Sequence, residues 1–494
     1  MIRSCVRLLI GFILGLVVGA SEICAQDSLW CATFGGYFNE SGYAATRSSN
    51  GDFLLLGSTY SYGSGSHDIY LIRVDSAGEE IWSRMYGGTG ADYGYDITPT
   101  SDEGYVIVGS TCSFGQGKHD VYVLKIDYAG AVVWSKTYGG IQDDVGASVR
   151  MTVDGGFIIC GTTSSFGSSA DIYLLKIDSL GDSSWTKTYG GPAGESGSAV
   201  RVLPDNGYAI VGSTGSYGAG YSSIYLIRTD VAGDTLWTAT YGGNRADFGY
   251  GIETTGDRGY ILAGATAPDG ENFYDAFLVK VDSLGLVQWS DTYGGIYEDR
   301  GYSVKPTYDG GYIMAGIAES SSARKIDVYL VKTDGGGNIE WDSAYGGAEP
   351  DYGRMVLLDP NNDYYVVGHS FSPVNKGSDV CLLKVEGPIK TDADGFDGTG
   401  HPDRYVLDQN YPNPFNSVTT IEYRVPARSR VTIEVFNVLG QKVKTLVDED
   451  KTAGPYMIDW KGDDATGRPM ATGVYLYRFQ ARNQVQTKKM LLMK

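Results

Sequence analysis

Few side chains in this sequence have the types and spacing needed for chemistry. The histidines are His67, His119, His369 and His401. His67-Asp68 and His119-Asp120 hold matching places in adjacent repeats, and an imidazole beside a carboxylate is a familiar start to a metal site. The pattern stops there, so solvated loop residues are the better reading. Acids recur more widely. Asp75, Asp127, Asp178, Asp230, Asp282 and Asp334 open Asp-x-x-Gly turns. Asp68, Asp120, Asp171, Asp275, Asp327 and Asp379 precede a strand, with Ser223 replacing the acid once. Two carboxylates across a ring could cleave a glycosidic bond, but the sequence singles out no pair. A residue repeated around a ring serves the fold, whereas a catalytic group needs an asymmetric setting. No catalytic, cofactor-binding or metal set is expected, and no cofactor. Asp392 to Gly398 is calcium-loop-like but lacks the terminal Glu, which favours an acidic linker.

The elements that carry these residues repeat. Tryptophans stand at 30, 82, 134, 185, 237, 289 and 341, each followed five residues later by Gly-Gly and four beyond that by an acid. Each repeat predicts four short strands, as in 93–100, 105–111, 120–127 and 132–138, separated by Asp/Gly turns. No helical period survives in the repeats. A lone four-stranded sheet cannot bury both faces, and sheets stacked around an axis can. The fold class is therefore all-β: a seven-bladed β-propeller followed by a small Ig-like β-sandwich. A linear solenoid is the alternative. The array starts with a lone strand at 28–34 and ends without an eighth Trp, so the N-terminal strand is expected to complete the last blade and remove an open edge. The pattern from Tyr-Gly-Gly to Asp-Ile-Tyr-Leu-x-Lys-x-Asp resembles the bacterial β-propeller repeat family over residues 28–386. That resemblance implies the fold and no common activity. The run Asp-x-x-Gly-x-x-x-Trp falls one residue short of the tryptophan-docking repeat of quinone-dependent dehydrogenases, and it is not the sialidase Asp box.

Arg3, Arg7 and the apolar run 8–20 predict a signal peptide over 1–25, too short for a comfortable membrane span. The propeller is expected over 27–386, a polar linker over 387–405 and a further domain over 406–494. The last segment has alternating strands at 419–424, 431–437, 457–461, 473–481 and 486–493. It carries Asn410-Tyr411-Pro412-Asn413-Pro414-Phe415-Asn416, Val435 to Gln441 with Gly440, and Gly473-Val474-Tyr475. These motifs resemble the C-terminal sorting domain of the type IX secretion system, with Ser417 where the family usually has Pro. The resemblance implies the type IX machinery as partner, export to the outer cell surface or medium, and removal of the domain.

Cys31 and Cys381 fall in the strands that close the ring, and an oxidising compartment predicts a disulfide between them. Cys112 and Cys160 are expected to be buried thiols. Residues 26–405 hold 49 acidic against 24 basic side chains, a surface that repels nucleic acid. In a propeller the loops at 61–67, 114–119, 217–223, 268–274, 320–326 and 371–378 share one face. Their length and Tyr, Ser, Gly and Asn content suit an unidentified glycan or protein ligand. The expected function is a secreted, non-catalytic binding or adhesion module. A carbohydrate-active enzyme and a structural envelope component are the alternatives.

Overall fold

The computed structural model describes residues 28–267, 273–319, 325–359, 362–371, 377–387, 405–407, 410, 415–416, 418–425, 428–452, 454–482 and 484–493. The expected signal segment 1–25, most of the expected linker and parts of the loops at 268–274, 320–326 and 371–378 lie outside them. The chain forms two compact units, Met1–Gly387 and Pro388–Lys494. Every element among the described residues is a β-strand.

The first unit consists of seven four-stranded antiparallel sheets. In the first sheet the strands are Glu40–Arg47, Phe53–Thr59, Asp68–Val74 and Glu80–Tyr86, paired in chain order. The second and third strands are buried on both faces, which is why they read as near-continuous apolar runs. The first strand of each sheet touches the first strand of the next, and Asp351–Leu358 of the seventh sheet touches Glu40–Arg47 of the first. The sheets therefore form a closed cycle with their first strands innermost. Each first strand opens on its acid, as in Asp92–Pro99, one residue earlier than the sequence suggests. The acid itself pairs with the end of the second strand, Asp92 opposite Thr111.

The periodic tryptophans join neighbouring sheets. Trp134 of the second sheet lies against Gly181 in the Asp-x-x-Gly turn of the third, and Trp30 lies against Gly78 in the first sheet's turn. A Cβ on Gly78 would sit 2.6 Å from Trp30 Cζ3, so only glycine permits this approach. Beside the rings, Tyr86 OH donates to Gly130 O at 2.7 Å and Tyr189 OH to Gly233 O at 2.6 Å. A second repeated contact lies within each sheet. A Lys or Arg on the third strand, buried in all sheets but the seventh, pairs with the Asp of the first turn: Arg73 with Asp52 at 2.8 Å, Lys176 with Asp154 at 2.9 Å, and so on to the half-buried Lys384 with Asp363 at 2.8 Å. Lys332, fully buried, meets both Asp309 and Glu340 at 2.9 and 2.7 Å. A buried ammonium needs such partners.

Ser28–Phe34 pairs with Ser378–Val385 as the fourth strand of the seventh sheet. The chain's first described strand thus completes its last sheet and brings Trp30 to the joint with the first. Cys31 and Cys381, expected to form a disulfide, lie on these two paired strands. Counting from the turn alone set Tyr70 against Ser83 or Arg84, but a bulge at Ile81 moves its partner to Met85. The same bulge at Leu29 puts Cys31 opposite Leu383 and Cys381 opposite Thr33, so the two residues stand diagonally across the pair rather than directly opposite.

The second unit contains a three-stranded sheet (Val406–Leu407, Thr419–Val425, Gly454–Trp460) and a four-stranded sheet (Lys442–Lys451, Ser429–Asn437, Gly473–Ala481, Gln484–Leu492). Ile421, Tyr423 and Trp460 of one share a core with Ile433, Tyr477 and Phe479 of the other. Lys442–Lys451 was not expected as a strand. It is an edge strand with Val447 as its one buried residue, and its sequence is mostly polar, with only Val443, Leu446 and Val447 apolar.

Gly78→Ala should lower the unfolding free energy of the ring by more than Gly310→Ala. Both glycines have left-handed backbone, φ +86° and +87°, and a Cβ at Gly310 meets nothing within 4 Å. The backbone term, about 1–2 kcal/mol, is common to both, and overpacking against Trp30 adds about 1–3 kcal/mol at Gly78 alone. Denaturant melts of the two variants check this; equal losses would show that the indole contact contributes nothing.

Candidate functional site

The repeated acids are tied into the fold. In all seven sheets the acid opening the first strand accepts the N–H of the second glycine of the preceding Gly-Gly pair, as Asp92 does from Gly88 at 2.8 Å and Glu40 from Gly36 at 2.8 Å. The third-strand acid caps its own loop: Asp68 Oδ2 accepts from Ser64 and Gly65, and Asp120 Oδ2 from Gln116 and Gly117. The first glycine of each pair sits against these carboxylates. A Cβ on Gly87 would come within 2.2 Å of Asp68 and 2.6 Å of Asp92. Two acids therefore crowd one turn. Burial pushes Asp299 and Asp351 up to about 6, with the facing Asp275 and Asp327 adding to the rise and the glycine N–H bonds opposing it.

The two His-Asp pairs have different surroundings. His67 lies between Tyr60 and Tyr93, each ring 5.1 Å away, and burial lowers its pKa. His119 Nδ1 lies 3.2 Å from Cys112 Sγ. Cys112 is exposed rather than buried, because it sits just past the end of Tyr105–Thr111, while Cys160 is fully buried. Partial burial, with Asp92, Asp143 and Asp120 nearby, raises the Cys112 thiol and keeps it protonated, which opposes a nucleophilic role. Among the described residues no three metal-ligating side chains converge.

The asymmetry that a site needs lies on the innermost strands. At their second and fourth positions, near the loop-bearing end, five sheets carry aromatic or arginine side chains. Tyr93 stacks on Tyr95 at 6.1 Å, and Tyr95 meets Tyr43 at 5.3 Å. Phe248 stacks on Tyr250 at 6.3 Å, and Tyr250 meets Tyr302 at 5.0 Å. Arg354 lies over Tyr302 at 4.5 Å and Tyr352 at 5.6 Å, and Arg300 donates to Tyr250 OH at 2.8 Å. Tyr352 stacks on His369, whose pKa burial and Arg354 push down to about 3, so this imidazole is neutral. The third and fourth sheets place Val145, Ala147, Ser196 and Ser198 at the same positions, leaving a gap in the aromatic belt. Outward from the axis the belt continues through His67 and Tyr60 to Phe38 and Tyr37, which are about half exposed. Half-buried aromatic faces with interleaved guanidinium groups suit stacking and polar recognition.

The loops around this end are stitched rather than free. Cys112 N donates to Ala91 O in the connection entering its own sheet, and Asp92 N donates to His67 O of the preceding sheet, so loops after second strands are bonded both to their own sheet's entry and, in five sheets, to the connection entering the next. At the other end of the first strands a charged collar breaks the repeat. Arg150 Nη1 donates to Asp96 Oδ2 at 2.6 Å, Arg201 binds Glu253 through two bonds of 2.8 and 2.9 Å, and Lys305 also donates to Glu253. Both groups vary between repeats, so nothing that the repeats share points to them. Aligning the seven first strands and asking which columns vary would have found them.

In the second unit, Asn410 is buried, donates its backbone N–H to the Tyr477 hydroxyl oxygen (2.7 Å) and donates from Nδ2 to Thr419 Oγ1 (2.9 Å). Tyr411, Pro412, Asn413 and Pro414 lie outside the described residues. Phe415 is buried against Trp460 and exchanges backbone bonds with Leu491 and Met493, while Asn416 is exposed. Gly440, at φ +78°, closes a hairpin whose tip leaves Val438 and Leu439 exposed. Gly473 begins the strand that carries Tyr475, and Tyr475 OH donates to Ala471 O at 2.8 Å. Residues 409–493 match the secretion system C-terminal sorting domain family. The sorting-domain motifs therefore act in part as core, through Asn410, Phe415 and Tyr475, and in part as exposed hairpin tip. No curated protein matches the chain. Among solved structures, it is similar to PorZ, a surface component of the type-IX secretion system of Porphyromonas gingivalis, at 12% identity and TM-score 0.43, over 93% of this chain and 60% of that one. It is also similar to the extracellular domain of BT4673 from B. thetaiotaomicron (10%, 0.41, over 94% and 58%) and to a puromycin hydrolase (13%, 0.44, over 78% and 59%). The chain thus spans about 60% of the length of these structures, and likenesses this distant carry no argument about function.

The raised carboxyls predict a pH dependence. A folded pKa near 6 lies above the unfolded value, so Asp299 and Asp351 favour the folded state at low pH. That contribution falls away as pH rises from about 4 to about 6 and is absent above. Asp299→Asn can still accept the Gly295 N–H, and it should melt higher than the parent at pH 8, with the difference closing by pH 4. Thermal melts across this range check it; a constant difference would refute the assignment.

Proposed function

We propose that this chain is a seven-bladed β-propeller with an Ig-like C-terminal sorting sandwich, led by a signal peptide, exported by the type IX machinery and acting at the outer cell surface or in the medium. Its role is non-catalytic binding or adhesion. The ligand is a glycan or a polar protein surface, and it meets the loop-side mouth of the axis. The observation that carries this reading is the aromatic and arginine belt from Tyr43 and Tyr95 through Tyr250 and Tyr302 to Arg354. It breaks the sevenfold repeat where a rigid ring offers a concave surface, and nothing in the fold requires it, because the third and fourth sheets manage with Ala147 and Ser198. The sorting-domain match at 409–493 supports the route, and no helix of the described residues is long and apolar enough to cross a membrane.

The test is a glycan array and a surface pull-down with the secreted protein, alongside hydrolase assays on every ligand retained. Saturable binding without turnover is expected, weakened tenfold or more by Tyr302→Ala or Arg354→Ala, with melting temperatures held close to the parent. Turnover of a bound glycan, or binding indifferent to both variants, would overturn the reading. Deleting 409–493 should leave the propeller inside the cell, measured by fractionation.

A further inference from the structure

The search of the molecule outside the aromatic mouth leads to the charged collar at the opposite end of the innermost strands. Its members are Asp96 on the second sheet, Arg150 on the third, Arg201 on the fourth, Glu253 on the fifth and Lys305 on the sixth. Four of them hold the seventh place of their first strands; Asp96 holds the fifth. The equivalents of those four on the other sheets are Thr46, Thr98 and Leu357, so the charge is confined to one arc of the ring.

The collar contains three cations and two anions. Asp96 Oδ2 is already saturated, accepting from Ser148 Oγ, Val149 N and Arg150 Nη1 at 2.9, 2.9 and 2.6 Å. Glu253 is shared between Arg201 and Lys305. Arg150 spends Nη1 on Asp96 and Val149 O, which leaves its Nε and Nη2 without a described partner, and Lys305 directs one bond to Glu253. One positive charge is left uncompensated in a place where side chains are about one-fifth exposed. Burial lowers Arg150 and Lys305, and Arg201 adds to the fall in both cases, so the cations are close enough to repel one another. A low-dielectric site that holds an excess cation is costly without an anion. The collar lies inside a unit whose sequence is strongly acidic, so long-range charge does not explain it.

We propose that the Arg150–Arg201–Lys305 arc of the collar binds a small oxyanion, of the carboxylate or sulfate type, in the axis of the ring. The anion would take the remaining donors of Arg150 and Lys305 and balance the collar's charge. It is either a free ion or the acidic substituent of a larger ligand. This site is distinct from the aromatic mouth and stands whether or not that mouth binds a glycan.

The test uses the full secreted chain and three probes at matched ionic strength: sodium chloride, sodium sulfate and sodium glucuronate. Melting temperature is followed against concentration, since a ligand that binds only the folded state raises it in a saturable way. Sulfate or glucuronate should give a saturable rise over chloride; sulfate alone points to a free ion, and tighter glucuronate binding points to an acidic sugar. Lys305→Gln balances the collar and should abolish the rise. Arg150→Gln does the same by a second route and guards against misfolding of the first variant. Glu253→Gln raises the excess charge and should tighten the apparent affinity at least threefold. No saturable rise over chloride, or the same response in parent and all three variants, would overturn the proposal.

Discussion

The ring depends on an indole seated on a glycine. At six of the seven joints a fourth strand carries a tryptophan that needs a flat, side-chain-free surface on the next sheet, and the left-handed glycine of the Asp-x-x-Gly turn supplies it; Trp341 faces the seventh sheet, which has no such turn because its fourth strand is Ser28–Phe34. The tyrosine four residues further on bonds to the same turn, as Tyr86 does to Gly130 O. The turn is therefore both the end of one hairpin and the dock for its neighbour. That double duty explains why Trp, Tyr and Asp-x-x-Gly recur together at fixed spacing: losing one member unseats the joint between two sheets.

Charge is handled by the same economy of repetition. The acid at the head of each innermost strand closes the Gly-Gly turn through a backbone N–H, and the acid of the first hairpin turn neutralises a buried cation on the third strand. Seven such arrangements consume much of the unit's acidity inside the fold. What is left over is informative. The aromatic mouth and the charged collar are two places where the seven copies differ although the backbone does not.

The sequence revealed the scaffold well because its determinants are periodic. Trp82 and Trp134, the Gly-Gly pairs and the Asp/Gly turns each predict a local geometry, and the offset strand 28–34 predicts its pairing across the chain. Register was harder. A single bulged residue, Leu29, which no turn signal announces, sets Cys31 and Cys381 diagonally rather than directly opposite. Exposure of Cys112 was missed because a lone thiol looks apolar until its strand end is known. The collar was invisible for a different reason: Arg150 and Glu253 look like ordinary surface charges in a strand, and only the ring brings them to one axis. The edge strand Lys442–Lys451 was hidden by its polar composition.

Because Ser28–Phe34 is the last piece of a sheet whose other strands span Asp351–Val385, the earliest part of the array to emerge during synthesis has no partner until more than 300 residues have followed. Closing so long a span costs about 5 kcal/mol of chain entropy, and contacts of such separation form slowly. The protein is thereby kept from locking until nearly all of it has been made. A chain exported as proposed would benefit from this built-in delay, and loss of Ser28–Phe34 would leave the last sheet one strand short.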